Sequence, residues 1–171
     1  PSGAADLPAL TRIYAHHVMH GTGTFELDAP DEAEIARRRN DVLGNRLPWL
    51  AAEQGGEVLG FAYANHFRPR RAYRFCVEDS IYLRPDALGR GIGKLLLVEL
   101  MAQCQARGAR QMLALIGDSA NAGSIAVHRA CGFADCGRFD AAGWKFQRWL
   151  DVVLMQRSLG LGAAAAPDSN D

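Results

Sequence analysis

The amino-acid sequence predicts an α/β fold in which helices pack on a mixed β-sheet. Three observations lead to this class. Residues 6–20 and 31–42 carry apolar side chains at helical spacing. Residues 49–53 and 58–65 have the pattern of two strands joined by a turn that contains two glycines. From residue 73 onward, strand and helix patterns alternate, which is typical of a sheet covered by helices.

Capping residues set the expected ends of the helices. Asp6 and Asp31 are typical N-cap residues, and Glu34 follows Asp31 by three positions, as in a capping box. Gly108 and Gly132 are expected to close the two later helices, because glycine readily adopts the left-handed conformation that ends a helix. Local signals therefore bound most of the predicted helices.

The longest predicted strand covers 73–83, and its alternation assigns side chains to two faces. One face carries Phe75, Val77, Asp79, Ile81 and Leu83. The other carries Arg74, Cys76, Glu78, Ser80 and Tyr82. A glycine-rich loop and an apolar helix to about residue 106 follow this strand. The remaining predicted elements are a strand at 111–116, a helix at 121–131, and strands at 133–139 and 146–157.

The composition predicts one globular domain over residues 1–159 and a disordered tail over 160–171, since the tail has little apolar surface to pack. Nineteen basic residues balance nineteen acidic ones, so the charge does not indicate nucleic-acid or membrane binding. The four cysteines form no CxxC pair, so neither a metal site nor a redox motif is expected. Free thiols and the absence of a secretory signal favour a cytoplasmic protein.

The strongest chemical signal is the loop Gly89-Arg90-Gly91-Ile92-Gly93-Lys94 between the long strand and the apolar helix. Its glycines allow backbone N–H groups to surround an anion, and the helix N-terminus adds its own free N–H groups. A dinucleotide-binding fingerprint needs a glycine at Lys94, and a P-loop needs a serine or threonine at Leu95. Both are missing. Taken alone, the loop indicates either a pyrophosphate-binding loop of another type or a glycine-rich turn without a ligand.

The motifs around the loop resemble those of the GCN5-related N-acetyltransferases. Leu88 to Gly93 fits the cofactor motif of that family, except that Leu88 stands where the family has Gln or Arg. Asn121, followed by a helix that ends in Gly132-Phe133, fits a second motif. The runs 77–85, 127–133 and 145–151 resemble the phosphinothricin and methionine-sulfoximine acetyltransferase branch. Residues 1–5 do not fit the strand with which the family begins, so that strand is expected to be missing or shortened.

The resemblance implies a mixed, mostly antiparallel twisted sheet flanked by helices, and acetyl-CoA as the cosubstrate without a metal ion. It also implies which residues hold acetyl-CoA. These are Ile81, Tyr82 and Leu83 for the pantetheine arm, Gly89, Arg90, Gly91, Ile92, Gly93 and Lys94 for the pyrophosphate, and Asn121 further along.

Two residues are candidates for proton transfer. Glu78 is the expected general base, because the family's glutamate falls here and a half-buried carboxylate has a raised pKa. The alternatives are a solvated glutamate of the strand and a salt-bridge partner of Arg74. His128 shares a helix face with Asn121 and is the expected acid for the departing thiolate. The alternative is a histidine that only packs in the core or hydrogen-bonds the cofactor.

Arg74 and Lys145 are the candidates for substrate binding. Arg74 is placed on the Glu78 face of the strand, where a guanidinium could pair with a substrate carboxylate or phosphinate. The sequence thus predicts an N-acetyltransferase for small amino-acid-like amines, acting by direct transfer in a ternary complex. A protein N-terminal or lysine acetyltransferase and a non-catalytic CoA-binding domain are the alternatives. The family resemblance further implies a homodimer.

Overall fold

The computed structural model describes residues 1–167, which fold around one six-stranded sheet. The strands are β1 (Trp49–Gln54), β2 (Glu57–His66), β3 (Cys76–Leu83), β4 (Gln111–Gly117), β5 (Ala134–Lys145) and β6 (Arg148–Ser158). Their order in the sheet is β1-β2-β3-β4-β6-β5. Only β3 and β4 run parallel, so the prediction of a mixed, mostly antiparallel sheet is confirmed.

The helices cover both faces of this sheet. They are α1 (Leu7–His20), α2 (Glu32–Gly44), α3 (Ile92–Ala106) and α4 (Ala122–Ala130). Tyr82 of β3 packs against Tyr14 of α1 at 4.9 Å between ring centroids. The neighbouring side chains of Ile81 and Leu83 approach Gly93 of α3 from the other face. The strand alternation predicted for this segment is therefore confirmed.

The predicted caps at Asp31 and Asn121 form, but the one at Asp6 does not: its side chain makes no cap hydrogen bond to α1 and accepts instead from the Gly3 N–H at 2.7 Å. Asp31 accepts a hydrogen bond from the Glu34 N–H at 2.8 Å, and Asn121 accepts one from the Ser124 N–H at 3.3 Å. Gly108 has a φ of +91°, in the left-handed region that favours glycine beyond a helix end. The Ser2 N–H donates to the Trp49 carbonyl at 3.0 Å, so residues before α1 lie beside β1 without forming a strand.

Three predicted strand boundaries are wrong. The strand predicted over 133–139 continues to Lys145, since after an irregularity beyond Phe139 the chain pairs with β6 again from Gly143 onward. The strand predicted from residue 73 begins at Cys76, because Arg71–Tyr73 form a 3₁₀ turn and the Phe67 N–H closes the loop on the Cys76 carbonyl. Near the C-terminus, Phe146 was predicted inside a strand but lies with Gln147 in the two-residue turn between β5 and β6. Both have positive φ, of 51° and 58°, although neither is the glycine or asparagine that signals such turns.

The sheet opens in the middle. β3 and β4 pair through only three residue pairs, from Cys76 with Gln111 to Glu78 with Leu113. Beyond these pairs both strands continue without a shared ladder, β3 to Leu83 and β4 to Gly117. This separation leaves a gap between two central strands, and the gap forms the cleft described below.

The C-terminal segment is folded at its start. The Gly160 N–H donates to the Gln105 side chain at 3.0 Å, and turns continue to Ala164. The Arg110 guanidinium donates to the Ala166 carbonyl at 3.4 Å. Residues 168–171 of the predicted tail lie outside the described residues. Within the described part of the chain, no helix is long and apolar enough to cross a membrane.

Candidate active site

The gap between β3 and β4 is a cleft of about 790 Å³. Its walls are Glu78–Leu83 of β3, the end of β4 with the loop to Asn121, the glycine loop, and the loop after α1. Because the cleft passes between two strands, side chains from both faces of the sheet reach it. Glu78 lies on the face of Tyr82, and Asp79 lies on the face that packs against α4.

The glycine loop has the geometry of an anion-binding site. Gly89 and Gly91 have φ values of +72° and +79°, and Gly91 is the N-cap of α3. A Cβ added at either position meets no protein atom within 4 Å, so these glycines leave open space beside the backbone. The first N–H groups of α3 have no partner within the helix and face the same end of the cleft. The loop therefore fits a pyrophosphate.

The side chains of this loop divide into two groups. Gly89, Gly91, Ile92, Gly93 and Lys94 line the cleft. Arg90 does not, because its guanidinium donates to the Gln54 side chain at the end of β1. A pyrophosphate would thus meet the backbone of this loop and Lys94, with Arg90 turned away from it.

The strand opposite this loop supplies the rest of the cofactor-facing wall. Ile81, Tyr82 and Leu83 line the cleft, as the resemblance implied. The Leu83 carbonyl already accepts a hydrogen bond of 2.7 Å from Nε2 of His17. Burial lowers the pKa of His17, which keeps this imidazole neutral. His17 therefore holds α1 to the end of β3 at the mouth of the cleft.

Glu78 is half-buried where β3 and β4 separate. Burial raises the pKa of its carboxyl, the negative charge of Asp79 raises it further, and the nearby charge of Arg68 lowers it. A carboxylate with a raised pKa binds a proton more readily at neutral pH. The alternative of an ion pair with Arg74 is not found among the described contacts of both residues.

His128 is almost fully buried and is paired. Its Nε2 lies 3.0 Å from Oδ2 of Asp79, and its Nδ1 lies 2.7 Å from the Ser124 carbonyl. Burial alone would lower the pKa of His128, but the hydrogen bond and charge of Asp79, together with the Ser124 carbonyl, outweigh burial and raise it. Both residues line the cleft. The helix face that Asn121 and His128 are predicted to share does point toward the cleft, and Ser124 lies on it as well.

The two predicted substrate residues lie outside the cleft wall. Arg74 precedes β3, and its guanidinium stacks 4.2 Å from the Phe75 ring centroid and donates to the Arg71 carbonyl. Its predicted place on the Glu78 face of the strand is wrong, because Arg74 is the C-cap of the 3₁₀ turn Arg71–Tyr73 and precedes the first residue of β3, Cys76. Lys145 is only 3% exposed, and its Nζ donates to the carbonyls of Gly21 and Thr24 at 2.9 Å each.

Two features of the site were not predicted as functional, and a third, Arg68, lies in the basic loop after Phe67, which indicates acidic small substrates without assigning a role to any one residue. Asp79 was assigned only to the apolar strand face, yet an aspartate among Val77, Ile81 and Leu83 is the sequence signal for a buried partner. The loop 21–24 forms a wall of the cleft, and nothing in its sequence indicates that. Arg68 acts on Glu78 by its charge. Among residues 1–167, no three His, Cys, Asp or Glu side chains are placed to hold a metal ion.

Comparison with known proteins identifies the class. Residues 12–133 match the model of the acetyltransferase (GNAT) family, and the chain belongs to this family. The predicted fold and enzyme class are confirmed.

Two curated relatives and one solved structure are particularly similar. The chain is 51% identical to phosphinothricin N-acetyltransferase of Alcaligenes faecalis, over 95% of this chain and 83% of that protein. It is 38% identical to the L-methionine sulfoximine/L-methionine sulfone acetyltransferase of Pseudomonas aeruginosa, over 92% of both. A phosphinothricin acetyltransferase from Sinorhizobium meliloti, solved in complex with AcCoA, superposes with a TM-score of 0.96 at 50% identity, covering 99% of this chain and 91% of that one.

Proposed function

We propose that this enzyme transfers the acetyl group of acetyl-CoA to the amine of a small amino-acid-like substrate, of the phosphinothricin, methionine sulfoximine or methionine sulfone type. The observation that carries the proposal is the cleft between β3 and β4. One end of it has an anion-binding glycine loop, and the other has a carboxylate with a raised pKa. The relatives named above act on substrates of this type.

The cleft fits acetyl-CoA in two respects. Gly89 and Gly91 leave space beside the backbone at the N-terminus of α3, where a pyrophosphate can approach. Beyond Glu78, the edge of β3 that faces β4 has no strand partner, so its backbone groups can pair with the amide-bearing pantetheine arm. Bound there, acetyl-CoA supplies an activated acetyl group as a thioester.

Side chains of the protein then take part in the proton transfers of the reaction. Glu78 takes a proton from the substrate ammonium, directly or through a water molecule, which frees the amine lone pair for attack on the acetyl carbon. As the C–N bond forms and the C–S bond breaks, the nitrogen loses its second proton to water, and the sulfur keeps the electron pair of the broken bond and takes up a proton. The products are therefore the neutral amide, the free CoA thiol and one proton released to solvent. A backbone N–H near Tyr82 or Leu83 stabilises the charge on the acetyl oxygen. His128 is the proposed proton source for the sulfur, and it has to release its hydrogen bond to Asp79 or to the Ser124 carbonyl in order to donate there.

The substrate's acid group is assigned to the basic loop before β3. Arg68 lies close enough to Glu78 for its charge to lower the pKa of that carboxyl. An amino acid that binds with its amine at Glu78 therefore has a cation within reach of its carboxylate or phosphinate. Lys145 contributes to this wall indirectly, since its ammonium holds the loop at Gly21 and Thr24.

We further propose that the enzyme is a cytoplasmic homodimer. The four cysteines are free, as expected in a reducing compartment. The β5–β6 hairpin exposes Phe139, Trp144, Phe146 and Trp149, each about half exposed or more. Such a group of exposed aromatic side chains is typical of an interface. Light scattering of the wild type and of Trp149→Arg tests the dimer, since the variant should run as a monomer.

A thiol-release assay tests the activity. Acetyl-CoA is incubated with the enzyme and a panel of amino acids, their sulfone, sulfoximine and phosphinate analogues, and short peptides. We expect release with phosphinothricin, methionine sulfoximine or methionine sulfone. Release with peptides alone would assign the enzyme to protein acetylation, and acetyl-CoA binding without release would indicate a non-catalytic domain.

A further inference from the structure

Asp79 and His128 form a buried pair of ionisable side chains in the wall of the cleft. Asp79 comes from β3 and His128 from α4, 49 positions later, and each side chain is 2% exposed. His128 also packs edge-on against Phe133, at 5.1 Å between ring centroids. Burying an aspartate and a histidine is costly unless the two satisfy each other. Their place next to Glu78 and along the cleft suggests that the pair serves the reaction.

Hydrogen bonding determines where the protons of the pair lie. The Ser124 carbonyl can only accept, so Nδ1 of His128 carries a hydrogen. Nε2 then either donates to an ionised Asp79, which makes the ring an imidazolium, or accepts a proton from a neutral Asp79. In both cases the pair holds one proton between Nε2 and Oδ2. Loss of that proton would leave a buried negative charge opposite a ring-nitrogen lone pair.

The surroundings give the pair little other support, since Oδ1 of Asp79 is buried and has no hydrogen-bond partner among the described residues. The other titratable groups that face the pair are Glu78 on β3, Cys104 on α3 and Cys131 after α4, with Lys94 and Arg157 beyond Cys131. Burial raises the pKa of Cys104 to about 12 and also raises that of Cys131, so both thiols are neutral. Asp79 is therefore the only negative group in contact with the ring among the described residues.

We propose that Asp79 is a positioning residue for His128: its carboxylate fixes the imidazole ring and keeps both ring nitrogens protonated, so that the two side chains act as one acid–base unit on the cofactor side of the cleft. The proposal rests on the function proposed above. It also links the two proton-transfer groups, because a protonated His128 offsets the Asp79 charge that raises the pKa of Glu78. The base and the acid are thus tuned by the same aspartate.

Nitrogen-15 NMR of the histidine side chains tests the proposal on the wild-type protein. The His128 signal is assigned by its loss in His128→Gln. At neutral pH we expect both ring nitrogens to be protonated, and the ring to titrate above the ordinary histidine value of about 6.5. A neutral ring at pH 7 would overturn the proposal. This measurement requires neither activity nor a substitution at Asp79, so it stands even if the proposed activity fails.

The variant Asp79→Asn adds a kinetic test. It keeps the size of the side chain but removes the charge, so His128 should titrate at a lower pH. The limb of the pH profile of kcat that reflects the titration of His128 should then also move to lower pH. We expect kcat at neutral pH to fall about 10–100-fold, as for other carboxylates that orient a histidine, with little change in the KM for acetyl-CoA. An unchanged titration and pH profile, with only a lower melting temperature, would make the pair structural.

Asp135→Asn is the matched control. Asp135 is exposed and pairs with Arg129 at the end of the same helix, so the same chemical change is made beside α4 but away from the cleft. It should leave the His128 titration and kcat unchanged. An equal effect of both aspartate variants would show a general charge effect and overturn the specific role of Asp79.

Discussion

The two sides of the cleft present different kinds of chemical group. The cofactor side consists mainly of backbone: glycines with positive φ, the first N–H groups of α3, and the unpaired edge of β3. The side that we propose for the substrate depends on charged side chains: Glu78 lines the cleft, the charge of Arg68 acts on Glu78, and Lys145 holds the loop at Gly21 and Thr24 from outside the wall. Backbone N–H groups bind any phosphate in the same way, whereas charged side chains can be exchanged one at a time. The first side therefore suits a constant cosubstrate, and the second suits a substrate that differs among relatives.

The largest expected effect is on the substrate side, in Glu78→Gln. Removing the base should lower kcat at neutral pH by about 10²–10⁴-fold, the usual contribution of a general base. Affinity for acetyl-CoA, measured by calorimetry, should not change, because Glu78 lies away from the glycine loop. Glu53→Gln, an exposed change on β1, serves as the control. Wild-type kcat across the whole pH range in Glu78→Gln would exclude Glu78 as the base.

On the cofactor side, Gly91→Ala should have the next largest effect. A Cβ there enters the open space beside the helix N-terminus, and we expect acetyl-CoA affinity to fall at least about tenfold, or ~1.4 kcal/mol. Gly108→Ala is a matched control. Gly108 also has a positive φ and open space around it, but it lies at the other end of α3. Equal affinity losses in both variants would mean that backbone strain, rather than the cleft, is responsible.

The contrast between the two sides also explains what could be predicted from the sequence. Some features depend mainly on residues that are neighbours in the chain, and local sequence patterns predict these correctly. They are the glycine loop, the Asn121 cap and the helix ends. The substrate side depends on contacts between distant segments. Lys145 contacts Gly21, which lies 124 positions earlier in the chain, and no local sequence pattern predicts that contact. Arg74 was misplaced because the alternation of the strand continues into a segment that a 3₁₀ turn takes out of the sheet.

A smaller effect is expected at Lys145, which holds the loop at Gly21 and Thr24 in the wall of the cleft. Lys145→Met removes two hydrogen bonds and leaves the carbonyls of Gly21 and Thr24 without this donor. The free energy of unfolding should fall by about 1–3 kcal/mol, measured by urea denaturation. Arg107→Met, on the exposed end of α3, should change it by less than about 0.5 kcal/mol. If Lys145→Met keeps the wild-type free energy of unfolding but loses affinity for the substrate, Lys145 binds the substrate directly.

The smallest expected effect is on stability, and it depends on pH. The pKa of Glu78 is raised in the folded protein, so the folded state binds more protons than the unfolded state above the unfolded value of about 4.5. Its contribution to stability is therefore present at acid pH and lost as pH rises through the folded value. Glu78→Gln should resist urea better than the wild type at about pH 7.5, and the difference should disappear at about pH 4. Lower stability of the variant at neutral pH would show that Glu78 is held by favourable partners.

The central claim is that the acetyl group passes directly from the cofactor side of the cleft to the substrate side. No cysteine is among the described residues that line the cleft, so a thiol is not positioned to carry the acetyl group between them. Initial rates measured over a grid of acetyl-CoA and amine concentrations test this most directly. The account predicts intersecting double-reciprocal lines, with no acetylated enzyme detected by mass spectrometry after incubation with acetyl-CoA alone. Parallel lines together with an acetylated enzyme would contradict it.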